Sequence, residues 1–254
     1  MGVARLDKSP GWTTRGLAHI VGVRLQGLLA LMDDNSSKLL ALLHPALIPA
    51  VPGPRPEVRE DALIGVGRLC VFDLEMSGPN PRVHEVLEVG AVIAGLRPGL
   101  VEEDAWGSRI RPRRIGNANS AALRIAGYSP GAWKKAPRVE EAMPHFFRLG
   151  QGALAAGWGV GQDLAFLREQ LRREGRDWPC QPLVLDIQTL ARLRLDRHAG
   201  VVERFNLGHV ADRLGIGRMG EHSALADAYA AYDVLRKLVA GPPAGGWGET
   251  RSQA

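Results

Sequence analysis

The stretch LCVFDLEMSGPN, residues 69–80, carries the pattern that decides the fold. Its apolar run ends in two acidic residues, Asp73 and Glu75, which stand two positions apart. Residues i and i+2 of a β-strand point to the same face, so the two carboxylates are predicted to lie side by side. Adjacent anions repel, and such a pair is stable only if one is protonated, a hydrogen-bonding shell holds both, or a cation lies between them. The alternative is a plain strand that ends in a polar turn at residues 77–80.

The composition is that of an ordinary soluble globular protein. The chain has 254 residues, 45% of them hydrophobic and 23% charged, which is enough for one large domain or one domain with an appendage. A formal net charge of +5 is compatible with a polyanionic partner. Cys70 and Cys180 match neither a disulfide framework nor zinc-ligand spacing, so a cytoplasmic location is expected. No membrane span is expected, because the longest apolar runs are well short of the roughly 20 residues that cross a bilayer.

The N-terminal part is predicted to be a helical extension over residues 1–48. Apolar residues recur every three or four positions from Leu17 to Met32, and a second short helical run follows. Such an amphipathic helix packs on its own domain, docks a partner or lies on a membrane surface, and the sequence leaves these roles open. It also leaves open whether Met32 is the true start.

Three further divisions of the chain are predicted. Residues 49–65 are rich in proline and charge, which indicates a semi-rigid linker. Residues 66–240 form the main folded domain. The tail, residues 241–254, has too few apolar residues to pack and is expected to be disordered.

The main domain is predicted to contain five strands. Three of them, LIGVGRLCVFD, EVLEVGAVIAGL and DAWGSRIRPR, form an antiparallel meander. Helices at 118–127 and 138–149 follow, and then strands at ALAAGW and PLVLDIQTL alternate with helices to the end of the domain. The expected fold class is α/β, with a mixed five-stranded sheet of meander plus parallel strands flanked by helices.

Two later positions in the chain carry residues that can share a site with Asp73 and Glu75. Asp163 follows a predicted strand at the start of a helix, and His222 comes five residues before Asp227 at the start of another. Taken singly, Asp163 is explained as an N-cap and Asp227 as part of a solvated helix face. Three acidic sites at strand ends and helix starts, with a histidine beside the last, together suggest a metal site.

These residues resemble the motifs of a known family, the DEDDh 3′→5′ exonucleases. The match is to Asp73 and Glu75 in the first motif, Asp163 in the second, and His222 and Asp227 in the third. The resemblance covers about residues 66–240 and extends to the polymerase III epsilon-type proofreading domains and to oligoribonuclease. It implies a ribonuclease H-like fold and hydrolysis of phosphodiester bonds from the 3′ end of single-stranded DNA or short RNA. A sister class with a Tyr-x3-Asp motif would use Tyr229 and Asp233, and the sequence around His222 favours the histidine class.

Phosphodiester hydrolysis needs an activated water and relief of the charge that develops on phosphate and leaving oxygen. Two divalent cations supply both, and a site with only carboxylate ligands suits Mg²⁺ or Mn²⁺ better than zinc. An imidazole that titrates near neutrality suits His222 to the role of general base. The resemblance further implies that the main chain at Met76 and Ser77 contacts the terminal nucleotide.

The expected partners are the 3′ ends of single-stranded DNA or RNA and, by resemblance, a DNA polymerase or another replication or repair protein. Phosphate contacts are predicted from two groups of cations, Arg109, Arg111, Arg113 and Arg114, then Lys134, Lys135 and Arg138. A solvated edge strand blunted by charge explains the first group equally well. The other functional class that the sequence allows is a polymerase-associated or nucleic-acid-binding module with this fold and little activity.

Overall fold

The structure is a computed structural model that describes residues 42–43, 46–49, 67–195, 205–217 and 223–242. The helix predicted at residues 17–32, nearly all of the predicted linker, His222 and the end of the tail lie outside the described residues. The division of the chain at residues 48, 65 and 240 therefore stays a prediction.

The described residues form a single sheet with helices on both of its faces. The strands are β1 (Leu47–Pro49), β2 (Arg68–Met76), β3 (Val86–Gly95), β4 (Glu102–Arg109), β5 (Leu154–Gly157) and β6 (Leu183–Asp186). The α-helices are α1 (Ser120–Ile125), α2 (Pro130–Trp133), α3 (Val139–Leu149), α4 (Gly161–Glu174), α5 (Ile187–Leu195), α6 (Leu207–Arg213) and α7 (Ala224–Ala240), and a short 3-10 helix spans Ile115–Asn117.

The strand order across the sheet is β1-β6-β5-β2-β3-β4. Strands β2, β3 and β4 are the predicted antiparallel meander, and β5 and β6 continue the sheet in parallel beside β2. β2 lies near the middle with neighbours on both sides, which explains its apolar sequence. Its carboxyl end, where Asp73 and Glu75 lie, extends beyond the pairing with β5 and is paired with β3.

The prediction of five strands was wrong by one, because the described residues form a six-stranded sheet. The added strand is β1, which pairs antiparallel with β6 through Leu47↔Leu185 and Ile48↔Val184. Its sequence had indicated the end of a helix. Ile48 precedes Pro49, and the residue before a proline is driven to extended backbone, while proline itself is tolerated in an edge strand.

The core has two halves, one on each face of the sheet. Strand β2 alternates between them, with Leu69 and Val71 on the face covered by α5, α6 and α7, and Cys70 and Phe72 on the face covered by α3 and α4. By the same alternation, Asp73 and Glu75 point to the α7 side. No helix among those described is long and apolar enough to cross a membrane.

Candidate active site

Two rows of residues cross the sheet at the carboxyl end of β2. In the first row Asp73 lies opposite Gly90, which lies opposite Gly107. In the second row Glu75 lies opposite Glu88, which lies opposite Arg109. Directly opposed residues of antiparallel strands share a face. The two glycines of the first row leave space above the sheet beside the Asp73 carboxylate, where another element can approach. The second row adds the carboxylates of Glu75 and Glu88 and the guanidinium of Arg109.

Helix α7 starts on top of these rows. A Cβ atom added to Gly90 would lie 2.3 Å from the main-chain nitrogen of Leu225, so the helix backbone touches the strand where a side chain would stand. The main-chain N–H of Ala224 donates to Glu88 Oε1 over 3.1 Å, and the Ser223 hydroxyl also bonds to that carboxylate. These contacts fix the first turn of α7, which carries Asp227.

The start of α7 brings Asp227 to the pair on β2. One carboxylate oxygen each from Asp73, Glu75 and Asp227 lies within 4.8 Å of the others. The strand pair and the helix residue were predicted to meet, and the structure places them together.

Asp163 approaches this group from the α4 side of β2 and is close enough for its charge to act on Asp73, but it is not one of the three residues whose oxygens lie within 4.8 Å of one another. It lies in the first turn of α4, its residue is 6% exposed, and its carboxylate accepts hydrogen bonds from its own main-chain N–H and that of Leu74. Strand β5 pairs with β2 only as far as Val71. Beyond the end of β5, the Asp163 carboxylate accepts a hydrogen bond from a main-chain N–H of β2, that of Leu74.

Neighbouring carboxylates and burial raise the pKa values of Asp73, Glu75 and Asp163. Burial, followed by the charges of Asp163, Asp227, Glu75 and Glu88, raises the pKa of Asp73 well above its ordinary value. Burial, together with Asp227 and Glu88, raises the pKa of Glu75 to about 7. Burial also raises the pKa of Asp163 to about 7, against the lowering effect of its hydrogen bonds.

The donor set fits a hard divalent cation. The cluster offers carboxylate oxygens that are partly buried and mutually repelling, and oxygen ligands of this kind are those that Mg²⁺ and Mn²⁺ prefer. A cation between them would offset the repulsion that raises their pKa values.

Glu88 is a site residue that the sequence analysis missed. It is 8% exposed, and its carboxylate holds the start of α7 while facing Glu75 across the strands. Burial raises its pKa, and the N–H of Ala224 and the guanidinium of Arg109 lower it. The available signal was a single charged residue inside a strand that is otherwise buried throughout, because such a residue requires a partner.

The main chain at Ser77 already has partners within the protein. Its N–H donates to the carbonyl of Glu85 over 2.8 Å, and its carbonyl accepts from the N–H of Asn119 over 2.8 Å. The predicted nucleotide contact at Ser77 would thus compete with these bonds, whereas Met76 lies next to a bulge between β2 and β3. Both contacts remain predictions.

His222 lies outside the described residues, directly before Ser223, the N-cap of α7. The alternative Tyr-x3-Asp pair, Tyr229 and Asp233, has other partners. The Tyr229 hydroxyl donates to Glu102 at the far end of β4 over 2.8 Å, and burial, together with that carboxylate, raises the Tyr229 pKa to about 12. Asp233 pairs with Arg236 over 3.5 Å. Neither residue belongs to the carboxylate cluster.

The fold and the cluster define the class as a ribonuclease H-like nuclease domain. The chain belongs to the RNase_T exonuclease family, whose model matches residues 70–235. The predicted family and the predicted ribonuclease H-like α/β fold are thereby confirmed.

Relatives with described functions include replication proteins. The chain is 27% identical over 181 residues to a DNA polymerase III PolC-type of Thermotoga maritima, a match that covers 71% of this chain and 12% of that protein. It is 23% identical over 178 residues to the DNA polymerase III subunit epsilon of Aquifex aeolicus, covering 68% of this chain and 81% of that one. The chain thus spans about an eighth of the PolC-type relatives.

Solved structures share the fold. The nuclease domain of 3′hExo, a DEDDh family member bound to rAMP, matches with a TM-score of 0.55 at 16% identity, over 70% of this chain and 94% of that one. E. coli Exonuclease I in complex with a dT13 oligonucleotide matches with a TM-score of 0.57 at 18% identity, over 67% of this chain and 40% of that one.

The raised pKa values predict how pH changes the stability of the metal-free protein. The ordinary carboxyl pKa values are 3.8 for Asp163 and 4.5 for Glu75, and both rise to about 7 on folding. Between about pH 4 and pH 7 these two groups bind more protons in the folded state than in the unfolded state, so their contribution makes stability fall as pH rises and is constant above their folded pKa values. Each pKa unit corresponds to about 1.4 kcal/mol.

Urea unfolding of wild type and Asp163→Asn at several pH values in EDTA reports the effect of Asp163 together with its coupling to Asp73 and Glu75, because titrations away from the cluster cancel in the difference. The wild type should lose stability relative to the variant as pH rises from 4 to 7. Mn²⁺ should stabilise the wild type more at pH 7.5 than at pH 5, since protons compete with the cation. Parallel pH curves for the two proteins would contradict this account.

Proposed function

We propose that the chain is a metal-dependent 3′→5′ exonuclease of the DEDDh type that removes nucleotides from the 3′ end of single-stranded DNA or short RNA. The observation that carries the proposal is the cluster of Asp73, Glu75 and Asp227, with one oxygen of each within 4.8 Å of the others. The family match over residues 70–235 supports the exonuclease chemistry.

The proposed cofactors are two divalent cations, Mg²⁺ or Mn²⁺. When bound, they would activate the attacking water and offset the charge on the phosphate and leaving oxygen. Asp73, Glu75, Asp163 and Asp227 would hold them. Holding several like charges together in a partly buried site costs stability without a cation, and the raised pKa values of Asp73, Glu75 and Asp163 express that cost.

His222 is proposed to take the proton from the attacking water. It directly precedes the N-cap of α7 in the sequence, and Asp227 lies in the first turn of that helix. General base catalysis of this kind contributes about 10² to 10⁴ in rate. Met76 and Ser77 are proposed to bind the terminal nucleotide through main-chain groups.

A role beside a DNA polymerase is the second candidate, in which the chain binds nucleic acid or a replication protein and hydrolyses little. The names of the PolC-type and epsilon relatives favour a polymerase as partner. The partly buried carboxylate cluster favours the enzyme, because a binding role alone gives no reason to keep mutually repelling acids together.

Digestion of 5′-labelled single-stranded DNA and RNA with Mg²⁺ or Mn²⁺ tests the proposal. We expect a ladder of labelled products that shorten from the 3′ end and that EDTA abolishes. His222→Ala should slow the reaction about 10² to 10⁴-fold. Tyr229→Phe should leave it unchanged, because Tyr229 is bonded to Glu102.

Three results would count against this assignment. Release of the 5′ label as a mononucleotide would reverse the polarity. Loss of activity in Tyr229→Phe with full activity in His222→Ala would favour the sister class. Tight binding of the oligonucleotide with no hydrolysis under any metal would favour the binding module.

A further inference from the structure

A strongly cationic part of the chain lies outside the carboxylate cluster. Residues 105–139 contain eight Arg or Lys and no Asp or Glu, whereas the whole chain has 32 basic and 27 acidic residues. We call residues 109–138 the basic segment. Since it contains no acid of its own, only side chains from elsewhere can neutralise its cations.

The basic segment is fastened beside the carboxylate cluster. The N–H of Ile110 and the indole N–H of Trp133 donate to the carbonyl of Leu87 over 2.7 and 2.8 Å, at the start of β3. The N–H of Asn119 donates to the carbonyl of Ser77, two residues after Glu75. The segment is therefore part of the rim of the proposed active site.

Glu85 strengthens this attachment but does not neutralise most of the cations of the basic segment. Its carboxylate accepts the main-chain N–H groups of Arg113 and Arg114, over 3.1 and 2.7 Å, and pairs with the Arg114 guanidinium over 3.8 Å. Arg113 also pairs with Glu140 over 2.8 Å. These two arginines thus have carboxylate partners and make poor phosphate ligands.

Other cations of the segment are exposed and have no carboxylate partner among the described residues. They are Arg111, Arg124, Lys134, Lys135 and Arg138. Arg111 donates to the carbonyl of Lys134 over 3.3 Å, which brings Arg111, Lys134 and Lys135 into one patch. Three positive charges without carboxylate partners, on a segment held in place by hydrogen bonds, form a site for phosphate groups.

Exposed aliphatic side chains share this rim. Ile115 and Ile125 lie within the basic segment and are 37% and 56% exposed, and Val83, in the loop after β2, is 39% exposed. A single strand presents both phosphates and the faces of its bases, whereas a duplex buries the base faces. Cations mixed with apolar side chains therefore match a single strand better than a duplex.

We propose that the basic segment binds the backbone of single-stranded nucleic acid on the 5′ side of the bond that is cut, with Arg111, Lys134 and Lys135 on its phosphates. This inference rests on the proposed exonuclease function for the direction of the strand. It accounts for a cationic surface that the carboxylate chemistry does not need.

The test compares two triple variants with the same change in net charge. Arg111→Gln/Lys134→Gln/Lys135→Gln removes the patch. Arg97→Gln/Arg148→Gln/Lys237→Gln removes three cations at the opposite end of the sheet, after β3 and in the last turns of α3 and α7. Binding of fluorescent twelve-nucleotide poly-dA and poly-rA is measured in EDTA across a range of KCl, and hydrolysis of the same oligonucleotides and of a dinucleotide is measured with Mn²⁺.

The patch variant should weaken binding of the twelve-mers about tenfold and lower the salt slope by about 2, at about 0.7 for each lost phosphate contact on a single strand. Its KM for the twelve-mers should rise with kcat unchanged, and its hydrolysis of the dinucleotide should match the wild type. The control variant should behave as the wild type.

Equal binding and equal salt slopes for the two variants would overturn the proposal, as would an equal loss of affinity for a blunt duplex. A wild type that hydrolyses neither substrate would contradict the exonuclease function, while the binding measured in EDTA would still support or overturn the role of the basic segment. Equal effects with DNA and RNA would support contacts to phosphate alone, and a much larger effect with RNA would overturn them in favour of contacts to the sugar.

Discussion

Asp73→Asn should abolish nearly all hydrolysis and, in the absence of metal, make the protein more stable. Activity is expected to fall about 10³-fold or more, because an amide lacks the charge that a carboxylate offers a divalent cation. The gain in stability follows from the raised pKa of Asp73, which burial and the charges of Asp163, Asp227, Glu75 and Glu88 cause. Removing that charge relieves the repulsion, and each kcal/mol gained raises the Tm of a domain of this size by about 2–4 °C.

Two measurements on the same preparations test this prediction. Thermal unfolding in EDTA at pH 8 tests the gain in stability, and oligonucleotide hydrolysis with Mn²⁺ tests the loss of activity. Asp177→Asn is the matched control, because Asp177 is exposed in the loop after α4 and away from the cluster. It should change neither quantity. A lower Tm for Asp73→Asn in EDTA would show that the carboxylate is held by favourable contacts, and would contradict a strained cluster.

Gly90→Ala should disrupt the site without touching any of its carboxylates. The added methyl group would lie 2.3 Å from the nitrogen of Leu225 and 2.4 Å from main-chain carbons of Ala224 and Leu225, and backbone cannot move aside as a side chain can. We expect a loss of about 1–3 kcal/mol of stability from overpacking. Displacing the first turn of α7 by about 1 Å also moves Asp227, and misplacement of that size costs about 10²-fold in rate.

Gly67→Ala is the control for the same chemical change, because a Cβ at Gly67, just before β2, meets nothing within 4 Å. Circular dichroism separates a shifted helix from an unfolded protein, and titration with Mn²⁺ reports the site directly. We expect Gly90→Ala to stay folded and to bind Mn²⁺ more weakly. Full activity and unchanged Mn²⁺ affinity in Gly90→Ala would show that Asp227 does not depend on this contact.

The positions of the carboxylates on a strand and at helix starts could be predicted from the sequence, because they depend on local rules. The spacing of Asp73 and Glu75 puts both on one face of any strand, and β2 confirmed the strand. Asp163 and Asp227 each begin a helix, and helix starts can be recognised from nearby residues. That the three places meet depends on the order of the strands, which only the family resemblance suggested.

Glu88 and β1 were missed for different physical reasons. The role of Glu88 depends on a contact with Ala224, far along the chain, which no local pattern reveals. Strand β1 has only three residues, and leucines spaced as in a helix precede it. Its conformation is decided by pairing with β6, so tertiary contact overrides the local preference.

Strand β1 also determines where the chain can be truncated without damage to its fold. The family match begins at residue 70, after β1, and the predicted main domain begins at residue 66, so either boundary would discard the strand. A chain shortened in that way would lose Leu43 and Ala46 from the core and leave β6 as a bare edge. Bare edges recruit strands from other molecules, so a shortened protein would self-associate for reasons unrelated to its chemistry. The fold of this protein is thus completed by residues that precede the family match.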